Sequence, residues 1–169
     1  MTDDIMGRLQ LTGHGETWQN NLCEQLSFSP LFADLEWAEL KVLAQAMQGS
    51  RVAAGTTIFS EGEPGSYLCF VISGQIDIIK ENQAGERKVV ATVTPGRTVG
   101  EMAVIDGERR SATCIAAKES LLGVLTRTNF DLLMHHHPGV SSKLLLRLAR
   151  MMSQRLRAAS GQLVDYLDH

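Results

Sequence analysis

Val99-Gly100-Glu101-Met102-Ala103-Val104-Ile105-Asp106-Gly107-Glu108-Arg109-Arg110-Ser111-Ala112-Thr113 gathers an acid, an arginine, a hydroxyl and several small residues in one short segment. A planar guanidinium such as Arg110 replaces the hydration of a charged phosphodiester with charge-assisted hydrogen bonds. The carboxylate of Glu101 cannot serve that anion directly and suits a ribose hydroxyl, as acids do in dinucleotide sites. Gly100, Ala103 and Ala112 leave room for backbone N–H groups to approach a phosphate oxygen. Glu101 and Arg110, nine positions apart, can thus grip opposite edges of one ribose phosphate.

This segment resembles the phosphate-binding cassette of cyclic nucleotide-binding domains, whose core reads roughly Gly-Glu-x-Ala-x, a short loop, then Arg-Ser/Thr/Ala-Ala-Thr. Gly100, Glu101, Ala103, Arg110, Ser111, Ala112 and Thr113 match it. Upstream, the run from Gly55 through Ile58, Phe59, Glu61, Gly62, Pro64, Gly65, Tyr67 and Gly74 to Ile76 is similar to the family's first β-roll strands, with their glycine spacing. The resemblance covers residues 30–160. It implies an α+β fold, an antiparallel β-roll (a double-stranded, jelly-roll-like barrel) with N-terminal helices and a long C-terminal helix. It further implies cyclic AMP or cyclic GMP as ligand, with no cofactor, no metal and no catalytic residue. In that frame Glu101 takes the ribose 2′-hydroxyl and Arg110 the cyclic phosphate. Ser111 and the N–H groups of Ala103 and Ala112 take the remaining oxygens, with Gly100 and Met102 in the same binding segment. Ser111 leaves the choice of base open, because a hydroxyl there occurs in members of either preference.

Working outward, 169 residues suffice for one compact domain with a sizeable core. Sixteen basic against nineteen acidic residues, a net charge of −3, give no overall drive toward nucleic acid or an anionic membrane. Cys23, Cys69 and Cys114 follow neither a disulfide framework nor a metal-binding spacing and read as reduced, packed thiols. The N-terminus lacks a basic start followed by an apolar run, and no apolar stretch reaches membrane-spanning length, so a cytoplasmic location without membrane contact is expected.

Residues 1–15 read as a flexible leader and 16–49 as N-terminal helices, the second opened by acidic Asp34 ahead of Leu35, Trp37, Leu40, Leu43 and Met47. Residues 50–126 read as the β-roll, with the cassette at 99–113. Alternating β-branched and turn residues place strands at 50–52, 57–59, 68–73, 75–81, 87–94, 111–116 and 120–126, with a weak one at 97–99. Residues 82–86 form a hairpin turn. Residues 127–165 read as C-terminal helices serving as lid or dimer contact, with Pro138 at a helix first turn, where its missing N–H costs nothing.

In the last helix Leu144, Leu145, Leu148, Met151, Met152, Leu156, Ala159 and Leu163 share one apolar face, with Lys143, Arg147, Arg150 and Arg157 opposite. Arg155 lies within the apolar stripe, three residues after Met152 and four before Ala159. Its head either snorkels to water, pairs with Glu101, or meets the ligand. In the bacterial branch of the family the corresponding helix bears an Arg and then a Thr-Ser pair that meets the base. Arg155 and Ser160 resemble that pattern and Ala159 departs from it, which leaves base selectivity open.

Other chemistry fits less well. Consecutive His135, His136 and His137 point in different directions on a helix and read as a polar helix end. The strand region has no histidine, so neither cupin metal catalysis nor a histidine-assisted nucleophile is expected there. A single N-terminal cysteine, Cys23, disfavours an iron–sulfur sensor. The residues that follow Leu163 leave no room for a helix-turn-helix, so nucleic acid is not an expected partner. Two readings remain. One is a stand-alone sensor that transmits occupancy through its last helix to a possible separate output protein. The other is a dimerisation or interaction scaffold of the same fold that has lost or weakened nucleotide binding.

Overall fold

The computed structural model describes residues 9–167. Its first strand, β1 (Gln10–Gly13), lies inside the stretch expected to be a leader. It pairs antiparallel with residues 49–51, where a sheet edge would otherwise leave backbone donors and acceptors unpaired. Residues 1–8 of the expected leader lie outside the described residues. Next comes helix α1 (Glu16–Ser27), which turns Leu22, Cys23 and Leu26 into the core. A single 3-10 turn, Pro30–Phe32, is capped by Ser29, whose hydroxyl accepts from the Leu31 N–H at 3.2 Å.

Helix α2 (Trp37–Ala46) starts later than the acid at Asp34 suggested. Its first-turn carboxylate, Glu39, accepts from the Glu36 N–H at 2.9 Å and satisfies one of the donors a helix start leaves free. Asp34 forms an ion pair with Arg147 instead. The strands follow as β2 (Gln48–Val52), β3 (Thr57–Phe59), β4 (Tyr67–Ser73), β5 (Ile76–Glu81), β6 (Arg87–Val93) and β7 (Thr98–Val99). A short helix, α3 (Glu101–Asp106), precedes β8 (Thr113–Ala116) and β9 (Ser120–Thr126), and the chain closes with α4 (Arg127–His136) and α5 (Pro138–Leu167).

The roll consists of two antiparallel sheets, in the orders β1-β2-β9-β4-β7 and β3-β8-β5-β6, rather than one closed barrel. The β5–β6 hairpin turns where the sequence places it, with the Asn82 N–H donating to the Glu86 carbonyl at 2.9 Å. Strand β4 explains how the layers stack. Its residues alternate, so Tyr67, Cys69 and Val71 join the core between the sheets while Leu68 and Phe70 join the core shared with the helices. Both faces of that strand are therefore covered, and it reads as a continuous apolar run rather than an alternating one.

Helix α5 seats Leu144, Leu148 and Met151 in the helical core and leaves Leu156 and Leu163 exposed, so the single apolar face read from the sequence divides in two. Two ion pairs fix its first half: the Lys143 ammonium bonds both Glu39 oxygens, at 2.8 and 2.7 Å, and Arg147 meets Asp34. No helix among the described residues is long and apolar enough to cross a membrane.

Candidate functional site

The cassette is set by its backbone before its side chains matter. Strand β7 delivers the chain to Gly100, whose φ of 80° is a left-handed conformation that favours glycine. A Cβ there would also lie 2.6 Å from Arg110 Nη1. Helix α3 then turns once and ends at Gly107. The returning loop is clamped to the segment after β3: the Arg110 N–H donates to the Glu63 carbonyl and the Gly62 N–H to the Arg110 carbonyl, both at 2.8 Å. That pairing orients the Arg110 side chain inward.

Arg110 is 3% exposed. Its guanidinium carbon stands 4.0 Å from the centroid of the Phe59 ring and 4.6 Å from that of Tyr67, and the two rings, inclined at 74° to each other, form a corner of aromatic faces around the charge. Nη1 donates to the Gly100 carbonyl at 3.0 Å and Nη2 to the Tyr67 carbonyl at 2.7 Å. The Nε–H is buried without a partner, and among the described residues no carboxylate pairs with the guanidinium. A buried charge balanced only by carbonyl dipoles and π-faces is costly in isolation and is best stabilised by an anion.

Glu101 is equally buried, at 2% exposed, and it is occupied. Arg155 Nη1 donates to Oε1 at 2.5 Å and the Thr98 hydroxyl to Oε2 at 3.2 Å. Arg155 Nη2 also donates to the Thr98 carbonyl at 2.9 Å. Of the sequence's alternatives for Arg155, the structure contains the pair with Glu101, and that pair joins the middle of α5 to the cassette. Arg155 and the cassette line a cavity of 70 Å³.

Gly100, Glu101, Met102, Ala103, Arg110, Ser111, Ala112 and Arg155 all line that cavity, so the structure brings together every site residue read from the sequence except Ser160. Ser160 is exposed and its hydroxyl donates to the Leu156 carbonyl of its own helix at 2.9 Å. It lies five residues beyond Arg155, where α5 is exposed from residue 156 to residue 165, which explains why it stands apart. Sequence reasoning missed Phe59, Tyr67, Thr98 and Gly65. A Cβ on Gly65 would lie 2.1 Å from that of Ala103, so this glycine lets the β3–β4 connection press on the cassette. The aromatic pair sits in the upstream run already singled out, but its contact with Arg110 depends on sheet curvature that no local pattern encodes. Lys80 was also missed; it pairs with Glu61 and donates to the Ser111 carbonyl at 2.6 Å, fastening the cassette loop to β5.

The three cysteines are free and buried. Cys114 borders the cavity, and burial first and the Glu101 charge second push its thiol up to about 12. Burial pushes Cys69 up to about 12 as well. Both are packed thiols with no nucleophilic character at neutral pH.

A family model described as the cyclic nucleotide-binding domain matches residues 50–137, from β2 through the whole roll and cassette to the end of α4. The chain belongs to the cyclic nucleotide-binding domain family. Among curated proteins it is 32% identical over 135 residues to the cyclic AMP receptor protein of Thermus thermophilus, covering 80% of this chain and 61% of that one. The chain thus spans less than two thirds of that relative's length. Among solved structures, a cyclic nucleotide-binding domain from Methylobacillus flagellatus superposes with a TM-score of 0.83 at 27% identity, covering 96% of this chain and 92% of that one. The regulatory domain of Toxoplasma gondii PKA, solved with cAMP, superposes with a TM-score of 0.62 at 32% identity over 71% of this chain and 46% of that one. Residues 50–137 of this chain are thus the β-roll of a cyclic nucleotide-binding domain.

Proposed function

We propose that this chain is a cytoplasmic regulatory binding module, not an enzyme, that takes cyclic AMP or cyclic GMP in its cassette and transmits occupancy through α5. The observation that carries the reading is Arg110: a buried guanidinium with an unpaired Nε–H and no carboxylate partner among the described residues, facing a cavity at the cassette. A cyclic phosphate supplies the missing anion. Glu101 takes the ribose 2′-hydroxyl on lone pairs that Thr98 leaves free and Arg155 vacates on entry, since a carboxylate offers roughly four acceptor positions. The hydroxyl of Ser111 and the N–H groups of Ala103 and Ala112 serve the other phosphate oxygens, with Gly100 and Met102 forming the adjoining wall.

The cavity of 70 Å³ is well below the roughly 300–1,000 Å³ of small-molecule sites. Entry of a nucleotide therefore displaces the guanidinium of Arg155, and with it the middle of α5. The ligand's differential contacts with the two arrangements supply the switch. Isothermal titration of both nucleotides tests this. Arg110→Ala is expected to weaken binding by about tenfold or more, the weight of one charge-assisted contact; unchanged affinity would overturn the assignment. Competition between the two nucleotides on the unaltered chain identifies the preferred base.

A second reading rests on the outer half of α5. Ala149, Met152, Leu156, Ala159 and Leu163 recur at alternating intervals of three and four residues, and all but the half-buried Met152 are exposed. That is the seam of a two-stranded coiled coil, and its occupant in this reading is the same helix of a second copy. A homodimer is compatible with nucleotide binding. A pure scaffold would dimerise and ignore the ligand, and titration separates the two.

A further inference from the structure

A larger cavity, of 470 Å³, lies on the opposite flank of α5 from the coiled-coil seam. It is walled by Pro30 and Leu31 of the 3-10 turn, by the β6–β7 connection at Pro95 and Arg97, and by Arg147 and Arg150 of α5. Its floor is fixed, because the Ser29 hydroxyl donates to the Gly96 carbonyl at 2.9 Å and ties the loop to the turn. Three arginines line this space, Arg97 and Arg150 exposed and Arg147 half-buried, and no acidic side chain lines it. Asp34 neutralises one of them through Arg147 Nη2, yet the Nε–H of the same arginine is buried without a partner. Arg97 and Arg150 have no ion pair or side-chain hydrogen bond among the described residues.

Three like charges held around one cleft repel each other unless something between them carries the opposite sign. Two of the three positive charges are uncompensated here, so a single negative charge is too little. The cleft also has an apolar side in Pro30, Leu31 and Pro95, and its volume falls in the range, roughly 300–1,000 Å³, of sites for organic ligands. We infer that this cleft binds a nucleoside polyphosphate, with the phosphates on Arg97, Arg147 and Arg150 and the planar base against the Pro30–Leu31 and Pro95 wall. At 100° per residue, Arg147, Arg150 and Gln154 lie about half a turn from Ala149, Met152 and Leu156, so the cleft stays open whether or not the seam is covered. The inference is independent of the cassette's ligand: the two cavities share no lining residue.

The test is titration calorimetry on the full chain with ATP, inorganic pyrophosphate and adenosine as probes, at physiological salt. One saturable ATP site per chain is expected, with pyrophosphate weaker and adenosine silent. Arg97→Ala and Arg150→Ala are each expected to weaken ATP by about tenfold, as losing one charge-assisted contact does, while melting like the unaltered chain because neither side chain has a partner to lose. Arg110→Ala, which removes the cassette's cation, is expected to leave ATP binding intact. No saturable site, equal affinity for ATP and pyrophosphate, indifference to both arginine substitutions, or loss with Arg110→Ala would each overturn the inference.

Discussion

Thr98 holds two charges at once. Its carbonyl accepts from Arg155 Nη2 and its hydroxyl donates to Glu101 Oε2, so one residue fixes both partners of the ion pair that links helix to cassette. Glu101 is nearly inaccessible while the Arg155 side chain keeps a third of its surface. Truncating the arginine consequently leaves a buried carboxylate with only the Thr98 hydroxyl. Arg155→Ala is expected to cost about 1–3 kcal/mol, the penalty of an unsatisfied buried group, read as a lower midpoint in urea denaturation. The cysteines supply a second expectation at this scale. With Cys69 and Cys114 raised to about 12 by burial, the neutral thiol is the form the fold favours. Their contribution is complete below the ordinary value of 9.0 and falls away as pH rises from there through about 12. Native protein treated with iodoacetamide at neutral pH is expected to leave both residues unlabelled by intact mass, whereas denatured protein takes up label at all three cysteines.

At the scale of elements, α5 is anchored at its start by charges and at its middle by the cassette. Hydrogen bonding from Lys143 first, and from the Glu36 backbone second, holds the Glu39 carboxyl below its ordinary value of 4.5. A lowered carboxyl contributes stability above the unfolded value and loses it as pH falls through the folded one. Amide exchange in the first turns of α5 is expected to quicken below pH 4.5, and Glu39→Gln is expected to remove that dependence. Much of this arrangement was legible in the sequence. The strands, the hairpin turn and the final helix follow from period and punctuation, and the cassette from residue chemistry at fixed spacing. What was not legible depends on contacts between distant segments. Asp34 has the look of a helix cap and is instead the counterion of Arg147, 113 residues away by subtraction, 147 − 34. Phe59 and Tyr67 are ordinary strand residues until the roll brings both rings against the Arg110 guanidinium. Strand β1 was hidden because Gly13 and Gly15 look like a loop, whereas the edge of β2 recruits the backbone regardless of side chain.

For the whole molecule, the two cores divide the labour. One lies between the sheets and carries the cassette wall through Phe59, Tyr67, Val99 and Cys114. The other joins the sheet to the helices and seats the first half of α5 through Leu144, Leu148 and Met151. The outer half of that helix belongs to neither. If its seam is covered by a second copy, Leu156→Asp sets a charge at the centre of the contact, and sedimentation equilibrium is expected to find monomer where the unaltered chain is dimer. The roll should be undisturbed by that change, since Leu156 is 69% exposed within one chain.

Arg155 is the last residue of α5 with substantial contact to the body of the protein; residues 156–165 are all exposed. The helix runs on for 12 residues, 167 − 155, which at about 1.5 Å per residue is a rigid arm of about 18 Å. A tilt of about 10° about the Arg155 contact would carry the tip of such a helix through about 3 Å. The geometry is that of a pointer on a dial: a displacement at the pivot too small to disturb the cores is read out, magnified, at the far end.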